Sequence, residues 1–332
     1  MNDFKTRNPR RLVGLILAVS LVAAACSASG EATTGETDEA VTTTTESVVT
    51  TTTVAATTTT TTAPATTTTT TAPEGSKADF YDLVTVNGAQ LAYSCEGSGS
   101  PKVIIEHGLY TLPFQAEPSE HWYAWIGAQL GIAEFTEVCV FGRRGVAGSD
   151  PVEEGTTRTA DDQVADLVAF LDRMSFTEPV VIAGHSWGGA IGQLFANQYP
   201  DRTAALVLID SVNADSFGDS PPSSSGPIEF VDLASGSKQL AAIGDLDALP
   251  ITVLSAGTPL FTVLGTPDGA IPAATPYHDP ESFEAWTSQQ KDLAGLSSNI
   301  VHTTLDDSGH LMQVDRPDAI TDAVREIIER IG

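Results

Sequence analysis

From Leu83 onward, short apolar runs alternate with longer stretches in which apolar positions recur every three or four residues. The short runs predict strands at Leu83–Val86, Gln90–Ser94, Val103–Glu106, Val138–Phe141, Val180–Ala183, Leu206–Ile209, Ile251–Ser255 and Ile300–Thr304. The first two flank Asn87-Gly88-Ala89, a hairpin-type turn. The later runs are continuously apolar, as strands buried on both faces are. A helix is predicted over Thr159–Met174: Thr159 can cap it, Asp161 and Asp162 stand in its first turn, and Val164, Leu167, Val168, Leu171 and Met174 share one stripe. A closing helix is predicted over Asp318–Ile331, with Pro317 at its start. This alternation implies an α/β fold: a mostly parallel eight-stranded sheet with helices on both faces, and an initial hairpin adding an antiparallel strand at one edge.

The pattern fails in two places. "YTLPFQAEPSEHWYAW", Tyr110–Trp125, has no clear period. Between strand candidates, Ser211–Leu249 opens with "SVNADSFGDSPPSSSGPIEF", rich in Ser, Pro and Gly. It reads as an excursion over the sheet, a cap-like insertion at 211–249, and a long insertion there is usually functional.

The N-terminal part has a different texture. Lys5, Arg7, Arg10 and Arg11 precede an apolar run from Leu12 to Ala25. That run is about 14 residues, short of the roughly 20 a spanning helix needs, so 1–25 reads as a secretory signal. Residues 26–75 are dominated by threonine, cannot bury a core and read as a disordered linker. As a flexible coil the Thr-rich stretch would reach on the order of 35–40 Å. The folded domain is then 76–332. Cys26, directly after three alanines in "LVAAACSAS", resembles the lipobox cysteine of bacterial lipoproteins, although Ala23 stands where leucine is usual. The resemblance implies a lipid anchor on Cys26, an exported, envelope-tethered protein, and a membrane as one partner. The formal charge of −27, with no basic cluster in the folded part, speaks against nucleic acid as another.

Candidate chemistry centres on "VVIAGHSWGGAIGQLFANQYP", Val180–Pro200. Gly184-x-Ser186-x-Gly188 follows a predicted strand and opens a predicted helix, the context of a nucleophile elbow. Side chains at 184 and 188 would collide with the reversing backbone, and Gly189 lets the helix pack close to the strand. The helix N-terminus behind Ser186 favours negative charge.

With "VIIEHGL" at Val103–Leu109, "FGRRGVAGSDP" at Phe141–Pro151 and "SGHLMQVDRPDAI" at Ser308–Ile320, the chain resembles the α/β-hydrolase family from about Leu83 to Ile331. It departs from the commoner family form at Gly142, where an aspartate is usual. The resemblance implies Ser186 as nucleophile and His310, after the last strand, as its base. His185 reads as structural and His107 as a brace for the loop after the third strand; His121, His278 and His302 match no motif. The acid is placed at Asp210, where "ALVLIDSV" ends a buried strand and an idle carboxylate would be costly to bury, ahead of Asp268 or Asp279. Backbone N–H groups of Trp187 and of Leu109 are the expected oxyanion donors, with little weight on their side chains.

Such a set needs no metal or cofactor, and no zinc-type spacing is present. The expectation is a Ser-His-Asp hydrolase of a small-molecule ester, with a peptidase or amidase, or a non-catalytic envelope binding protein, as alternatives; oligomeric state is open. Finally, an even cysteine pair in an exported chain suggests a disulfide. The resemblance implies that the second strand neighbours the fourth, which brings Cys95 to Cys139; closing such a loop is worth roughly 3–4 kcal/mol.

Overall fold

The computed structural model of the chain describes residues 81–109, 118–217, 223–224, 229–259 and 280–332. The signal, Cys26, the linker, Asp268, Asp279 and His278 lie outside them. An eight-stranded sheet forms the centre, with spatial order β1-β2-β4-β3-β5-β6-β9-β10. Its strands are β1 (Asp82–Val86), β2 (Ala89–Glu96), β3 (Val103–Glu106), β4 (Val138–Phe141), β5 (Val180–His185), β6 (Thr203–Ile209), β9 (Ile251–Ala256) and β10 (Ile300–Leu305). All pairings are parallel except β1/β2 and β2/β4. The antiparallel strand is therefore β2, second from the edge rather than at it. Asn87 and Gly88, at φ 47° and 79°, make the turn before it, the left-handed pair a two-residue hairpin requires.

Alternation of side chains sorts the sheet into two apolar faces. Leu91, Ile104, Ile182, Leu206 and Leu208 join one core with α2 (Ala160–Arg173) and α3 (Trp187–Gln198). Ile105, Val181, Ala183, Val207 and Ile209 join the other with α1 (Pro118–Ala133) and α7 (Pro317–Ile331). Helix α2 starts as expected: the Thr159 side chain accepts from the Asp162 N–H, and Asp162 returns the bond. Its buried stripe includes Phe170 in place of Val168 and Met174, which are only partly covered.

Between β6 and β9 the chain leaves the sheet. It forms the short ladder β7 (Ser223–Ser224) with β8 (Phe230–Val231), then α4 (Leu233–Ala241). Gly236 of α4 lies so close to the Trp187 ring that a Cβ there would overlap it. Beyond β9 come α5 (Pro280–Asp292) and, after β10, the short α6 (Met312–Asp315). Cys95 and Cys139 face each other directly in the β2/β4 ladder, Cα atoms 4.1 Å apart, and are joined by a disulfide. Among the described residues no helix is long and apolar enough to cross a membrane.

The chain runs from β3 to β4 on one side and then returns to β5 on the other side of β3. The carboxyl ends of β3 and β5 thus flank a topological switch point, where open α/β sheets bind ligands.

Candidate active site

Strand β5 ends at His185 and α3 begins at Trp187, so Ser186 alone makes the turn. Its φ of 51° and ψ of −118° lie where L-residues are strained, at a typical cost of about 1–3 kcal/mol. Neighbours hold that conformation. The Ser186 N–H donates to the Ile209 carbonyl at 3.0 Å, and the Ser186 carbonyl accepts from Gly189 at 3.0 Å and Val212 at 3.2 Å. A Cβ at Gly188 would run into the Glu106 carbonyl, so the elbow fits against β3 only with glycine there.

Asp210 follows β6 directly, and His310 lies on the loop after β10. The fold brings them together: His310 Nδ1 donates to Asp210 Oδ2 at 2.6 Å. The other carboxylate oxygen, Oδ1, accepts from the Ala256 N–H and from Trp286 Nε1, both at 3.0 Å. Complete burial raises the Asp210 carboxyl, but the His310 bond and charge, with the Ala256 and Trp286 bonds, outweigh it and leave the group below its ordinary range. A neutral His310 ring with its proton on Nδ1 carries its basic lone pair on Nε2. His185 donates from Nε2 to the His310 carbonyl at 2.8 Å. Burial, then the His310 charge, lowers His185 to about 3, so it braces the loop as a neutral ring.

The loop after β3 closes the site from the other side. A Cβ at Gly108 would stand 3.1 Å from the Ser186 Cβ, which puts Gly108 and Leu109 alongside the serine. His107 donates from Nδ1 to the Gly108 carbonyl at 2.7 Å and accepts at Nε2 from the Arg143 N–H at 3.3 Å. Burial and the Arg143 charge hold His107 well below its ordinary pKa. The N–H of Trp187 is the first of α3, and first-turn N–H groups have no intrahelical acceptor.

A family model described as "alpha/beta hydrolase fold" matches residues 101–236. Among solved structures, a thermophilic esterase from Thermogutta terrifontis superposes with a TM-score of 0.50 over 76% of this chain and 98% of its own, at 19% identity. A putative lipase from Acinetobacter baumannii does so with a TM-score of 0.52, over 76% and 91%, at 16% identity. The chain has the α/β-hydrolase fold. Curated relatives of this α/β-hydrolase-fold protein are similar over shorter spans. The cis-3-alkyl-4-alkyloxetan-2-one decarboxylase of Shewanella oneidensis is 32% identical over 127 residues, 38% of this chain and 36% of its own length. Lipase LipV of Mycobacterium tuberculosis is 48% identical over 52 residues, 16% of this chain and 20% of its own. Epoxide hydrolase 4 of Mus musculus is 28% identical over 131 residues, 39% and 34%. The chain thus spans about a third or less of the curated relatives it matches.

Several residues of the site in this α/β-hydrolase-fold protein carry no readable signal in the sequence. Trp286 sits in the mostly polar α5, yet is buried against Asp210. Arg143, inside the glycine-rich "FGRRGVAGSDP", is fully buried and forks onto Glu229 at 2.8 and 3.1 Å. The Trp187 side chain is also engaged: its Nε1 donates to Gln163 Oε1 at 2.7 Å, so its identity has more weight than the sequence suggested. His121 packs edge-on to His107, at 4.9 Å between rings, and His302 pairs instead with Ser255 Oγ at 2.6 Å. Glu137 approaches Cys95 and Cys139, but the disulfide uses both sulfurs that a metal would need.

Proposed function

We propose that this α/β-hydrolase-fold protein is a serine hydrolase acting on a small carboxylic ester. The observation that carries the reading is the 2.6 Å bond from His310 to a buried Asp210, beside a serine held at positive φ. Ser186 Oγ attacks the acyl carbonyl and its proton passes to His310 Nε2. Asp210 orients the imidazole and stabilises the imidazolium. The tetrahedral oxyanion accepts hydrogen bonds from the Trp187 and Leu109 N–H groups. Collapse expels the alcohol, protonated by His310. Water, with its proton taken by His310, then attacks the acyl-enzyme and releases the acid.

The esterase and lipase names among the similar proteins agree with acyl transfer. Likeness to an epoxide hydrolase does not extend to its chemistry, which needs a carboxylate nucleophile where this chain has Ser186. The 211–249 segment is read as a cover that shapes the acyl pocket. Its residues Phe217 and Gly236 pack on Trp187.

Export and tethering form part of the proposal. The basic start, the apolar run, Cys26 and the Thr-rich linker support it, and a disulfide fits an oxidising compartment. Cys26→Ser protein should lose detergent partitioning; retention with membranes, uncleaved, would point to an N-terminal helix instead.

The reading is tested with a fluorophosphonate probe and an ester series beside a peptide series. Labelling lost in Ser186→Ala, with ester turnover, is expected. No labelling of the wild type favours a binding protein, and peptide turnover without ester turnover makes it an amidase.

A further inference from the structure

Two residues whose N–H groups are the proposed oxyanion donors, Leu109 and Trp187, lie beside Ser186, and side-chain hydrogen bonds link the Gly108 carbonyl to the Trp187 indole. Arg143 Nη2 donates to the Gly108 carbonyl at 2.9 Å and Nη1 to the His107 carbonyl at 2.7 Å. The Gly108–Leu109 peptide is trans, so its N–H points opposite to its carbonyl. Whatever holds that carbonyl therefore aims the Leu109 N–H away from the guanidinium. The guanidinium is itself held. Glu229, from the segment between β6 and β9, takes Arg143 Nε and Nη2 in a two-bond fork, and Glu106 Oε2 accepts from Nη1 at 3.2 Å. Glu229 Oε1 also accepts from Gln163 Nε2 at 3.1 Å, and Gln163 Oε1 accepts from the Trp187 indole at 2.7 Å. The path runs Gly108 carbonyl, Arg143, Glu229, Gln163, Trp187, closed on both oxyanion-side residues.

We infer that Arg143 and Glu229 are positioning residues that preset the oxyanion hole, and that Glu229 couples the segment between β6 and β9 to it. The inference rests on the hydrolase reading above. A buried charge fork is an expensive way to obtain stability alone, since well-packed apolar residues often serve as well. A planar fork that grips a carboxylate on one edge and two backbone carbonyls on the other offers what they cannot: a fixed direction. Lysine keeps the charge but not the fork, so Arg143→Lys separates direction from charge.

The test uses the full chain with Arg143→Lys, Glu229→Gln and Trp187→Phe. Active sites are counted by fluorophosphonate titration, and kcat per titrated site and KM are measured on one ester. Binding of a trifluoromethyl ketone, which forms a tetrahedral oxyanion on the serine, is compared with binding of the product acid. Loss of one oxyanion donor costs about 100- to 1,000-fold in kcat, so misaiming one should cost about 10- to 100-fold. The expected result is that loss in kcat per site for Arg143→Lys and Glu229→Gln, KM within about twofold, and ketone affinity weakened in parallel with kcat/KM while product binding holds. Trp187→Phe, which removes the indole N–H together with part of the ring that packs on Gly236, should show the same pattern more weakly and serves if either charge variant fails to fold. Variants that lose titratable sites but keep kcat per site and ketone affinity would overturn the inference and leave the hydrolase reading standing. A wild type that neither turns over ester nor binds the ketone overturns both.

Discussion

His310 Nδ1 lies 2.6 Å from Asp210 Oδ2, between residues 100 positions apart that the chain delivers to the carboxyl edge of one sheet. Strand β9 separates β6 from β10 and supplies the Ala256 N–H that fixes the second carboxylate oxygen. The carboxylate is thus held from three sides, by His310, Ala256 and Trp286, and can hold the imidazole in turn.

Asp210→Asn should leave a folded protein whose kcat is about 10,000-fold lower, because the amide no longer enforces the tautomer with Nε2 as base. Ester turnover beside a thermal melt checks this; near-normal turnover would move the acid elsewhere.

Trp286→Phe removes one donor from the same carboxylate and leaves a smaller aromatic ring near it. Hydrogen bonds to charged groups are worth about 1.5–3 kcal/mol, so a stability loss of that order is expected, with a lower kcat and little change in KM. Urea unfolding and steady-state kinetics measure the two effects.

Glu106 supplies a pH signature. Burial, only partly offset by Arg143, pushes its carboxyl up to about 8 from an ordinary 4.5. Between those values the folded chain keeps a proton that the unfolded chain has lost, so this group's contribution to stability falls as pH rises from about 4.5 to 8. Glu106→Gln removes the proton exchange. The stability difference, variant minus wild type, should therefore rise with pH across that window and flatten above it. A difference independent of pH from 5 to 9, measured by denaturation (about 1.4 kcal/mol being a tenfold change in the folding equilibrium), would show that Glu106 titrates normally.

Breaking the Cys95–Cys139 link with a double alanine substitution should cost about 2–4 kcal/mol of stability and leave kcat unchanged at temperatures where the protein stays folded. The bond joins β2 to β4, and β3 stands between β4 and the serine's strand β5. Non-reducing peptide mass spectrometry should find the linked pair, and chemical denaturation gives the loss.

What the sequence determined by itself were features written in neighbouring residues. Continuous apolar runs marked the inner parallel strands, though not the edge strand β10, whose IVHTTL is half polar and not buried. Thr159 and Asp162 marked the start of α2, and the glycines around Ser186 marked an elbow, because each is a local steric or hydrogen-bonding requirement. Helices α1 and α5 left weaker traces. On α1, Tyr123, Ile126 and Leu130 are exposed apolar residues that blur the polar face, and on α5 the described burial is confined to Trp286 and Gln290. Only the tertiary structure decided which distant groups meet. Trp286 reaches Asp210 across 76 positions, and Arg143 reaches Glu229 across 86. Such pairings depend on strand order and on how the segment between β6 and β9 folds back, and a buried charge finds its partner in space, with no periodicity along the chain to announce it.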